Sequence, residues 1–524
     1  MRIEQKHVKH ILVVMAVIIT TIVCIIYNYR NIALLKYIPQ NASLVVKLDL
    51  YKIARKTQIL DETEKSPLLE LLLDNEIGNG ILHAKESGIS LYYPIYGALY
   101  ADTSIKGMQV QNLVIVVKIT DAEQFKKFVE KTHNTLGNSN QKAELKNSIY
   151  RYNASEYSIV WNDNVATINV FNARNAYTFV IREDMWLGIS ILKSSEKQTN
   201  HNIIRFNNEK QDIGLFINNE SLFDIQKSLQ LPNEKKAEEM LKIANSFGIQ
   251  FNNGRIQLSS KSYLTAAQQQ TFNIWKYPSK NYLNTLPTNP IALSSISVDL
   301  EKLKNIFLQL TSKKKHPIHW KDEFSGLSGD IGLVLSKVDL HNKLAKSQPL
   351  EEVETYNEEF QTSPLNNLAF EFQVIIGKKT PSAKPTYLYT MLDGLFTKVQ
   401  LSDNRIQYSP KFGGATPIYL HTLNNAWIFS NTANLSEKQH STNYPTIPIF
   451  GSINIQHPDL KMLNKKIHSP IYGREILTIA NWIKKVSWRG EPMEFQMDIE
   501  MMDSNKNALN YIMDNGLRFY QLSN

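Results

Sequence analysis

The sequence predicts an α+β protein in which an N-terminal transmembrane helix precedes two tandem homologous domains of antiparallel sheet with packed helices. Three observations lead to this fold class: an apolar run near the start, landmarks that recur in the same order in both halves, and short alternating segments separated by turn residues. The 524 residues have room for two cores, because a single core rarely grows past roughly 250–300 residues.

The apolar run "ILVVMAVIITTIVCIIY" extends from Ile11 to Tyr27 without a charged residue. A helix of that length rises about 25 Å, which is at the short end of what crosses a bilayer core. We therefore predict a cytoplasmic N-terminus over residues 1–10 and a transmembrane signal anchor over 11–29. A cleaved signal peptide, a lipoprotein processed at Cys24 and a buried helix are the alternatives, although no small-x-small cleavage site follows the run.

Basic residues flank the apolar run unevenly. Arg2, Lys6 and Lys9 precede it, whereas Arg30 and Lys36 follow it. Because positive charge is enriched on the cytoplasmic side of a membrane span, this excess places the N-terminus in the cytoplasm. The predicted localisation is the inner (cytoplasmic) membrane, with a single pass and with the C-terminal domains facing the periplasm.

Cysteine usage and net charge exclude several classes of function. Cys24 is the only cysteine, so the residues after it can form no disulfide framework, Cys-ligated zinc site, iron–sulfur cluster or cysteine nucleophile. The net charge is +9, of which residues 1–37 carry +4 and the remaining residues +5. Positive charge spread so thinly does not indicate nucleic-acid binding.

Three pairs of segments show that the second half of the chain repeats the first. They are "IPQNASLVVKLDLYKI" (38–53) with "LPTNPIALSSISVDLEKL" (286–303), "WLGISILKSSEKQ" (186–198) with "WIFSNTANLSEKQ" (427–439), and "LKIANSFGIQFNNG" (241–254) with "LTIANWIKKVSWRG" (477–490). Their spacing drifts gently, as small insertions and deletions would make it. Because a period near 240 far exceeds that of solenoid repeats, we predict two domains, residues 38–285 and 286–524.

Each predicted domain opens with an extended run and a helix. The stretch 300–310 has apolar residues at helical spacing, and the stretch 121–133 predicts a helix capped by Asp121 with an apolar face formed by Phe125, Phe128 and Val129. In both repeats we expect the tryptophan of the second pair of segments to lie on a core strand and the serine of "SEKQ" to cap a helix.

Short alternating segments follow these helices and predict antiparallel meanders. In the first half they are "YSIVW", "VATINVF", "AYTFVI" and "WLGISIL"; in the second they are "RIQYS", "PIYLHTL" and "AWIFS". Each half is predicted to close with a helix, over 235–247 or 473–485, then a strand pair around Gly254 or Gly490, and a final helix. Residues 337–364 are acidic and have no counterpart in the first half, which predicts a solvated loop insert or an acidic docking segment.

Motifs for catalysis or cofactor binding are incomplete. The glycine pair in 76–82 lacks the phosphate-loop ending, and "SGLSGDIG" (325–332) misses the spacing of a hydrolase elbow. Ser194-x-x-Lys197 with Ser402-Asp403-Asn404 lacks the third element of the penicillin-binding set. In "HPIHWKDE" (316–323), Pro317 disfavours the helix on which metalloprotease histidines lie. We therefore predict no catalytic residue, no cofactor and no metal site.

Tyrosines are concentrated in "ISLYYPIYGALY" (89–100). Tyr92, Tyr93, Tyr96 and Tyr100 form our candidate interaction surface, since tyrosine is enriched at interfaces. Ordinary packing within a sheet is the alternative explanation.

The start of the first repeat resembles that of uncharacterised membrane-anchored or exported envelope proteins of Bacteroidota, which often carry a similar strand in duplicate. The matching residues are Ile38, Pro39, Ala42, Val45, Leu48 and Asp49. The second copy keeps Pro287 and Asp299 but has Pro290 where the alanine would be. This resemblance implies a location outside the cytoplasm and assigns no activity.

The functional expectation is a non-enzymatic binding or scaffold module of the cell envelope. Its expected partners are the membrane and an envelope protein, and nucleic acid is not among them. The alternative is a carrier or sensor of a lipid or another hydrophobic ligand, which would use grooves between sheet and helices.

Overall fold

The computed structural model describes most of the chain after the predicted anchor. The described residues are 34–56, 87–105, 108–135, 142–153, 157–171, 201–218, 243–310, 326–340, 368–384, 386–411, 417–435, 444–461 and 480–523. They divide into two compact units. Unit 1 comprises Met1–Asn253, Leu258–Tyr263 and Lys506–Asn524, and unit 2 comprises Gly254–Gln257 and Leu264–Asn505.

Unit 1 is built on antiparallel strands that follow one another closely along the chain. Its strands are β1 (Ala42–Leu48), β2 (Ile95–Ile105), β3 (Met108–Lys118), β4 (Glu144–Lys146), β5 (Ile149–Asn153), β6 (Tyr157–Trp161), β7 (Val165–Phe171), β8 (Ile213–Asn218), β9 (Ala244–Asn252) and most of β10 (Arg255–Tyr263). Its helices are a short 3₁₀ turn (Leu35–Tyr37), α1 (Leu50–Lys56), α2 (Ala122–Thr135) and α3 (His201–Asn207).

The strand order of unit 1 is β4-β5-β6-β7-β3-β2-β1-β8-β9-β10. One buried face carries a core that includes Val45, Tyr96, Val114 and Phe216. A second cluster lies where α2 packs Phe125 and Val129 against the strands around Trp161.

The described residues of unit 2 form ten further strands and four helices. The strands are β11 (Ala292–Ser297), β12 (Leu327–Leu340), β13 (Leu368–Lys378), β14 (Phe396–Ser402), β15 (Arg405–Pro410), β16 (Ile418–Thr422), β17 (Ala426–Ser430), β18 (Ile449–Asn454), β19 (Ile483–Glu491) and β20 (Glu494–Met501). The helices are α4 (Ala266–Phe272), α5 (Lys280–Leu283), α6 (Leu300–Leu310) and α7 (Thr386–Leu395).

The strand order of unit 2 repeats that of unit 1. It is β14-β15-β16-β17-β13-β12-β11-β18-β19-β20, so β1 to β10 correspond to β11 to β20 in sequence. The helix after the first strand is capped in the same way in both units. Asp49 accepts from the amide of Lys52 at 3.2 Å, and Asp299 accepts from the amide of Lys302 at 3.2 Å.

Matching hydrogen bonds relate individual positions at the ends of the third strands. The amide of Ile119 donates to the carbonyl oxygen of Asn164, and the amide of Lys378 donates to that of Asn425. Each bond comes directly after the last residue pair between the third strand and its neighbour, which is β7 in unit 1 and β17 in unit 2. Ile119 therefore corresponds to Lys378.

A short repeated tetrapeptide supports this register. "SGIS" (87–90) and "SGLS" (325–328) each contain a glycine whose carbonyl oxygen accepts from an amide within two residues of the end of the third strand, that of Thr120 in unit 1 and that of Lys379 in unit 2. Thr120 therefore corresponds to Lys379. The segment that we compared with a hydrolase elbow is thus explained by its place at the start of β12.

The buried tryptophans belong to equivalent cross-strand pairs, but they lie on opposite strands of the pair. Trp161 of β6 lies opposite Ala166 of β7, whereas in unit 2 Thr422 of β16 lies opposite Trp427 of β17. Both tryptophans are fully buried. Strand order thus makes β7, rather than the segment beginning at Trp186, the counterpart of the Trp427 strand, which corrects our sequence alignment at this point.

The structure is α+β and mostly antiparallel, as predicted for the class. The predicted helix 300–310 is confirmed, as is the helix that Asp121 caps, where Asp121 Oδ1 accepts from the amide of Gln124 at 2.9 Å. Five of the predicted short strands, "YSIVW", "VATINVF", "RIQYS", "PIYLHTL" and "AWIFS", are confirmed within a residue or two at their ends. "AYTFVI", "WLGISIL" and both capping serines of "SEKQ" lie outside the described residues.

Four boundaries differ from prediction. Residues 483–485, predicted as the end of the helix 473–485, begin strand β19. Residues 244–247, predicted as the end of a helix, begin strand β9, because their side chains alternate between buried and accessible faces. Gly490 lies inside β19 rather than in the turn before β20. Residues 337–340 of the predicted insert extend β12 along β13, and the rest of that insert lies outside the described residues.

The final helix, α8 (Ala508–Ser523), belongs to unit 1. Asn507, just before it, donates from Nδ2 to the carbonyl oxygen of Phe251 at 3.2 Å and forms a bridge with Asn253. The predicted domains, 38–285 and 286–524, therefore differ from the two units at both ends: 264–285 groups with unit 2 and 506–524 with unit 1.

Among the described residues, no helix combines the length and the apolar composition that a membrane span requires. The predicted anchor, residues 11–29, lies outside them.

Candidate functional site

The four tyrosines of the predicted interaction surface do not share one surface. Tyr96 and Tyr100 are on the buried face of β2, at 0% and 3% exposure, because residues two apart in a strand face the same side. The hydroxyl of Tyr96 donates to Asn207 Oδ1 within the core. Tyr93 packs against that core, and only Tyr92 is well exposed, at 40%. The proposed surface is therefore corrected to Tyr92 with part of Tyr93.

A different surface of unit 2 is both apolar and exposed. Cross-strand neighbours on one side of the sheet form rows, in which Ile296 lies opposite Ile331 and Leu335 lies opposite Phe372. Between these rows Leu333 is 55% exposed. We call this side the open face of unit 2; it contains Ile296, Ile331, Leu333, Leu335 and Phe372.

Unit 1 exposes the corresponding side of its sheet. Val46 lies opposite Leu215, and Leu215 lies opposite Phe247, so one apolar row crosses three strands. Leu113 and Leu99 form a second pair nearby. These five residues define the open face of unit 1, on which Val46, Phe247 and Leu113 are 38%, 42% and 36% exposed.

The sequence analysis did not predict the open faces, although the sequence contains a pattern that indicates them. Consecutive apolar residues within a strand make both sides of the sheet apolar, as in "SLVV" of β1 and "GLVL" of β12. We treated these runs only as evidence for strands. The opposite, buried side is filled by core residues such as Val45 and Val334, so the open faces are an additional apolar surface.

A cavity of about 560 Å³ that is rich in charged side chains lies at one end of the sheet of unit 2. It is lined where β11 and β13 end, where β12 begins and at the turn between β16 and β17. Its charged residues are four lysines and three acids, namely Lys276, Lys304, Lys378, Lys379, Asp299, Glu301 and Asp330.

Two of the three acids are engaged within the protein. Asp330 is fully buried, lies 3.2 Å from Lys276 Nζ, and accepts from the hydroxyl of Ser328 at 2.7 Å. Lys276 also donates to the carbonyl oxygen of Ser328. Asp299 accepts from the amides of Glu301 and Lys302 and so caps α6. The third acid, Glu301, is exposed.

The other three lysines have no carboxylate partner among the described residues. The amino group of Lys378 lies over the ring of Trp427, 5.1 Å from its centroid, and 3.4 Å from the carbonyl oxygen of Pro381. Burial lowers the pKa of Lys378, because removal from water disfavours the charged amine. Lys304 is half-buried and Lys379 is exposed on the rim.

The remaining sequence candidates lie wholly or partly outside the described residues. Ser402, Asp403 and Asn404 lie at the turn between β14 and β15, while Ser194 and Lys197 lie outside the described residues. The segment 316–323, with its two histidines, also lies outside them. Within the part of the chain that the structure describes, no group of three or more metal-ligating side chains converges.

Comparison with known proteins assigns the chain to no family. No family model matches it, and no curated protein matches it. Among solved structures, crystal form I of TP0453 matches over 44% of this chain and 79% of that chain, with 12% identity and a TM-score of 0.25. A TM-score this low supports no conclusion on fold or function.

Proposed function

We propose that this chain is a membrane-anchored extracytoplasmic protein of the cell envelope and a non-enzymatic binding module that docks an apolar surface of another envelope protein. The observation that carries this proposal is the pair of open faces. Contiguous exposed apolar patches are uncommon on soluble proteins and mark interaction sites when they occur. Here the same side of the sheet is apolar in both units, and Val46 and Ile296 hold corresponding positions on it.

Two homologous copies would make the binding bivalent. The shared strand order, the aspartate caps and the repeated tetrapeptide support a tandem duplication. A duplicated docking face raises overall affinity without a new contact, because the second binding event becomes intramolecular. This advantage gives a physical reason for keeping the apolar side in both copies.

A lipid or other hydrophobic ligand is the second candidate, since the open faces are equally suited to acyl chains. The cavity described above has four lysines and three carboxylates in its lining, whereas carrier sites for apolar ligands are enclosed and mostly apolar, with few polar groups. We therefore favour a protein partner.

The deciding experiment is native mass spectrometry of the full-length protein, extracted in mild detergent from its own membrane. We expect a stoichiometric protein complex that dissociates in the Leu333→Lys variant. Leu395→Lys is the matched control, because Leu395 is 56% exposed at the end of α7 and outside the open face, compared with 55% for Leu333. Thermal melts should show both variants folded.

Each other outcome has a definite meaning. A single chain with bound lipid, together with loss of that lipid in Leu333→Lys, would mean that the protein is a lipid carrier and not a docking module. A single chain with neither partner nor lipid would refute both. The anchor is tested separately by N-terminal sequencing of the mature protein, which should begin at Met1 or Arg2; a start at Cys24 or later would contradict it.

A further inference from the structure

The lysine-lined cavity of unit 2 contains charge that the fold does not need. Ile119 and Thr120 occupy the corresponding positions in unit 1, as the matching backbone hydrogen bonds establish. Ile119 is 1% exposed there and belongs to the core cluster around Trp161. Unit 1 therefore folds with an isoleucine and a threonine at these two positions, whereas unit 2 has Lys378 and Lys379.

A lysine at this position carries a modest hydration cost. The amine of Lys378 is partly removed from water, and its nearest polar contact is a neutral carbonyl oxygen at 3.4 Å. The face of Trp427 compensates part of the lost hydration by a cation–π contact. A buried or half-buried cation without an anionic partner is unfavourable, so a bound anion would relieve an existing cost.

The cavity offers several cationic and amide groups to an oxyanion, alongside the carboxylates of Asp299 and Glu301. Lys304 approaches the cavity from α6, and Lys378 and Lys379 approach it from the end of β13. Asn424 and Asn425 line the same cavity from the turn before β17 and provide amide donors.

We propose that this cavity binds a phosphate group, carried by a free phosphate compound or by a lipid headgroup, with Lys304, Lys378 and Lys379 as its cationic ligands. Lysine is a common phosphate ligand that acts as a point charge, and a phosphate monoester carries about −1.5 to −2 charge at neutral pH. The Lys276–Asp330 pair would fix the wall of the cavity at the end of β11, where Asp330 lies opposite Ser297. This inference is independent of the docking function proposed for the open faces.

The test uses the residues that unit 1 has at the corresponding positions. Lys378→Ile combined with Lys379→Thr gives unit 2 the residues of unit 1, and Lys398→Met is the control, since Lys398 lies outside the cavity. Calorimetric titration of the full-length protein with pyrophosphate should give saturable binding. We expect about a tenfold or greater loss of affinity in the double variant, with an unchanged or higher melting temperature, and no loss in the control.

Three further probes separate the outcomes. Binding to phosphatidylglycerol vesicles but not to phosphatidylcholine vesicles or pyrophosphate, with loss in the double variant, would identify a lipid headgroup as the source. Equal, lysine-dependent binding of citrate would overturn the assignment to phosphate. Unchanged binding in the double variant, or no binding to any of these probes, would overturn the site itself.

Discussion

Replacing Trp161 by alanine should strongly destabilise unit 1. The side chain is fully buried, stacks on Tyr150 with 5.2 Å between ring centroids, and meets Phe125 edge-on at 5.3 Å. Its indole Nε1–H donates to the carbonyl oxygen of Ala122 at 3.3 Å. The substitution therefore removes the centre of the cluster that joins α2 to the sheet.

The magnitude follows from area and cavity. A buried aromatic side chain covers about 150–250 Å², which at about 25 cal/mol per Å² corresponds to roughly 4–6 kcal/mol as an upper bound. Alanine keeps part of that burial, whereas the cavity adds a penalty, so we expect a loss of about 3–5 kcal/mol in the free energy of unfolding. Leu145→Ala, at a 59% exposed position in β4, should change it by no more than about 0.5 kcal/mol.

A second substitution tests the correspondence between the units. Because Trp427 fills the equivalent cross-strand position from the other strand, Ala166→Trp added to Trp161→Ala should recover about half of the loss. The assay is urea unfolding of the full-length protein followed by far-UV circular dichroism. A loss below about 1 kcal/mol in the single variant, or a double variant less stable than the single, would refute the reasoning.

Two further predictions concern a helix cap and a histidine. Asp121→Ala should lower the free energy of unfolding by about 1 kcal/mol, because the Gln124 amide loses its hydrogen-bond partner. Asp121→Asn should retain most of the stability, because asparagine also caps helices. Equal melting temperatures of the wild type and both variants would count against the cap. Burial, and to a smaller extent Arg405, lower the pKa of His421, and a hydrogen bond to the backbone of Thr432 opposes this shift. The unfolded state then binds the proton more tightly, so the contribution of neutral His421 to stability is present above its unfolded pKa of about 6.5 and is lost as pH falls through that value toward the folded pKa. The stability of His421→Gln should depend less on pH in this window, and parallel wild-type and variant profiles from denaturant titrations would contradict this.

Local patterns were sufficient to predict much of the fold. The helix Leu300–Leu310 and the helix capped by Asp121 both combine an N-terminal aspartate with apolar residues at helical spacing, so sequence-local chemistry determines them. The strands of the meanders are equally short-range, because alternation and turn residues specify them. Element type was therefore predictable where a single periodic pattern was present.

Long-range correspondence was harder to predict. The two tryptophans lie on opposite partners of equivalent strand pairs, so matching Trp186 with Trp427 by letter could not reveal that Trp161 takes the corresponding place. Similarly, "ANSF" continues an apparent helical pattern, but pairing with β8 makes it a strand. Tertiary context overrides local preference at such positions.

The candidate sites could not be predicted, because they depend on how distant parts of the chain come together in the fold. Lys276, Lys304 and Lys378 are far apart along the chain and converge only because the strand ends meet. The tyrosines illustrate the converse, since a dense aromatic segment was divided between the core and the surface by the two-residue period of β2.

The place of α8 has a consequence for synthesis. Residues 506–523 complete unit 1, although most of that unit has been translated by residue 253. Unit 1 must therefore wait, unfinished, for roughly half of the polypeptide to emerge, at a translation rate of about 5–20 residues per second. If the chain crosses a membrane as it is made, export can proceed before unit 1 is closed, and removing the last helix should impair folding of the residues made first.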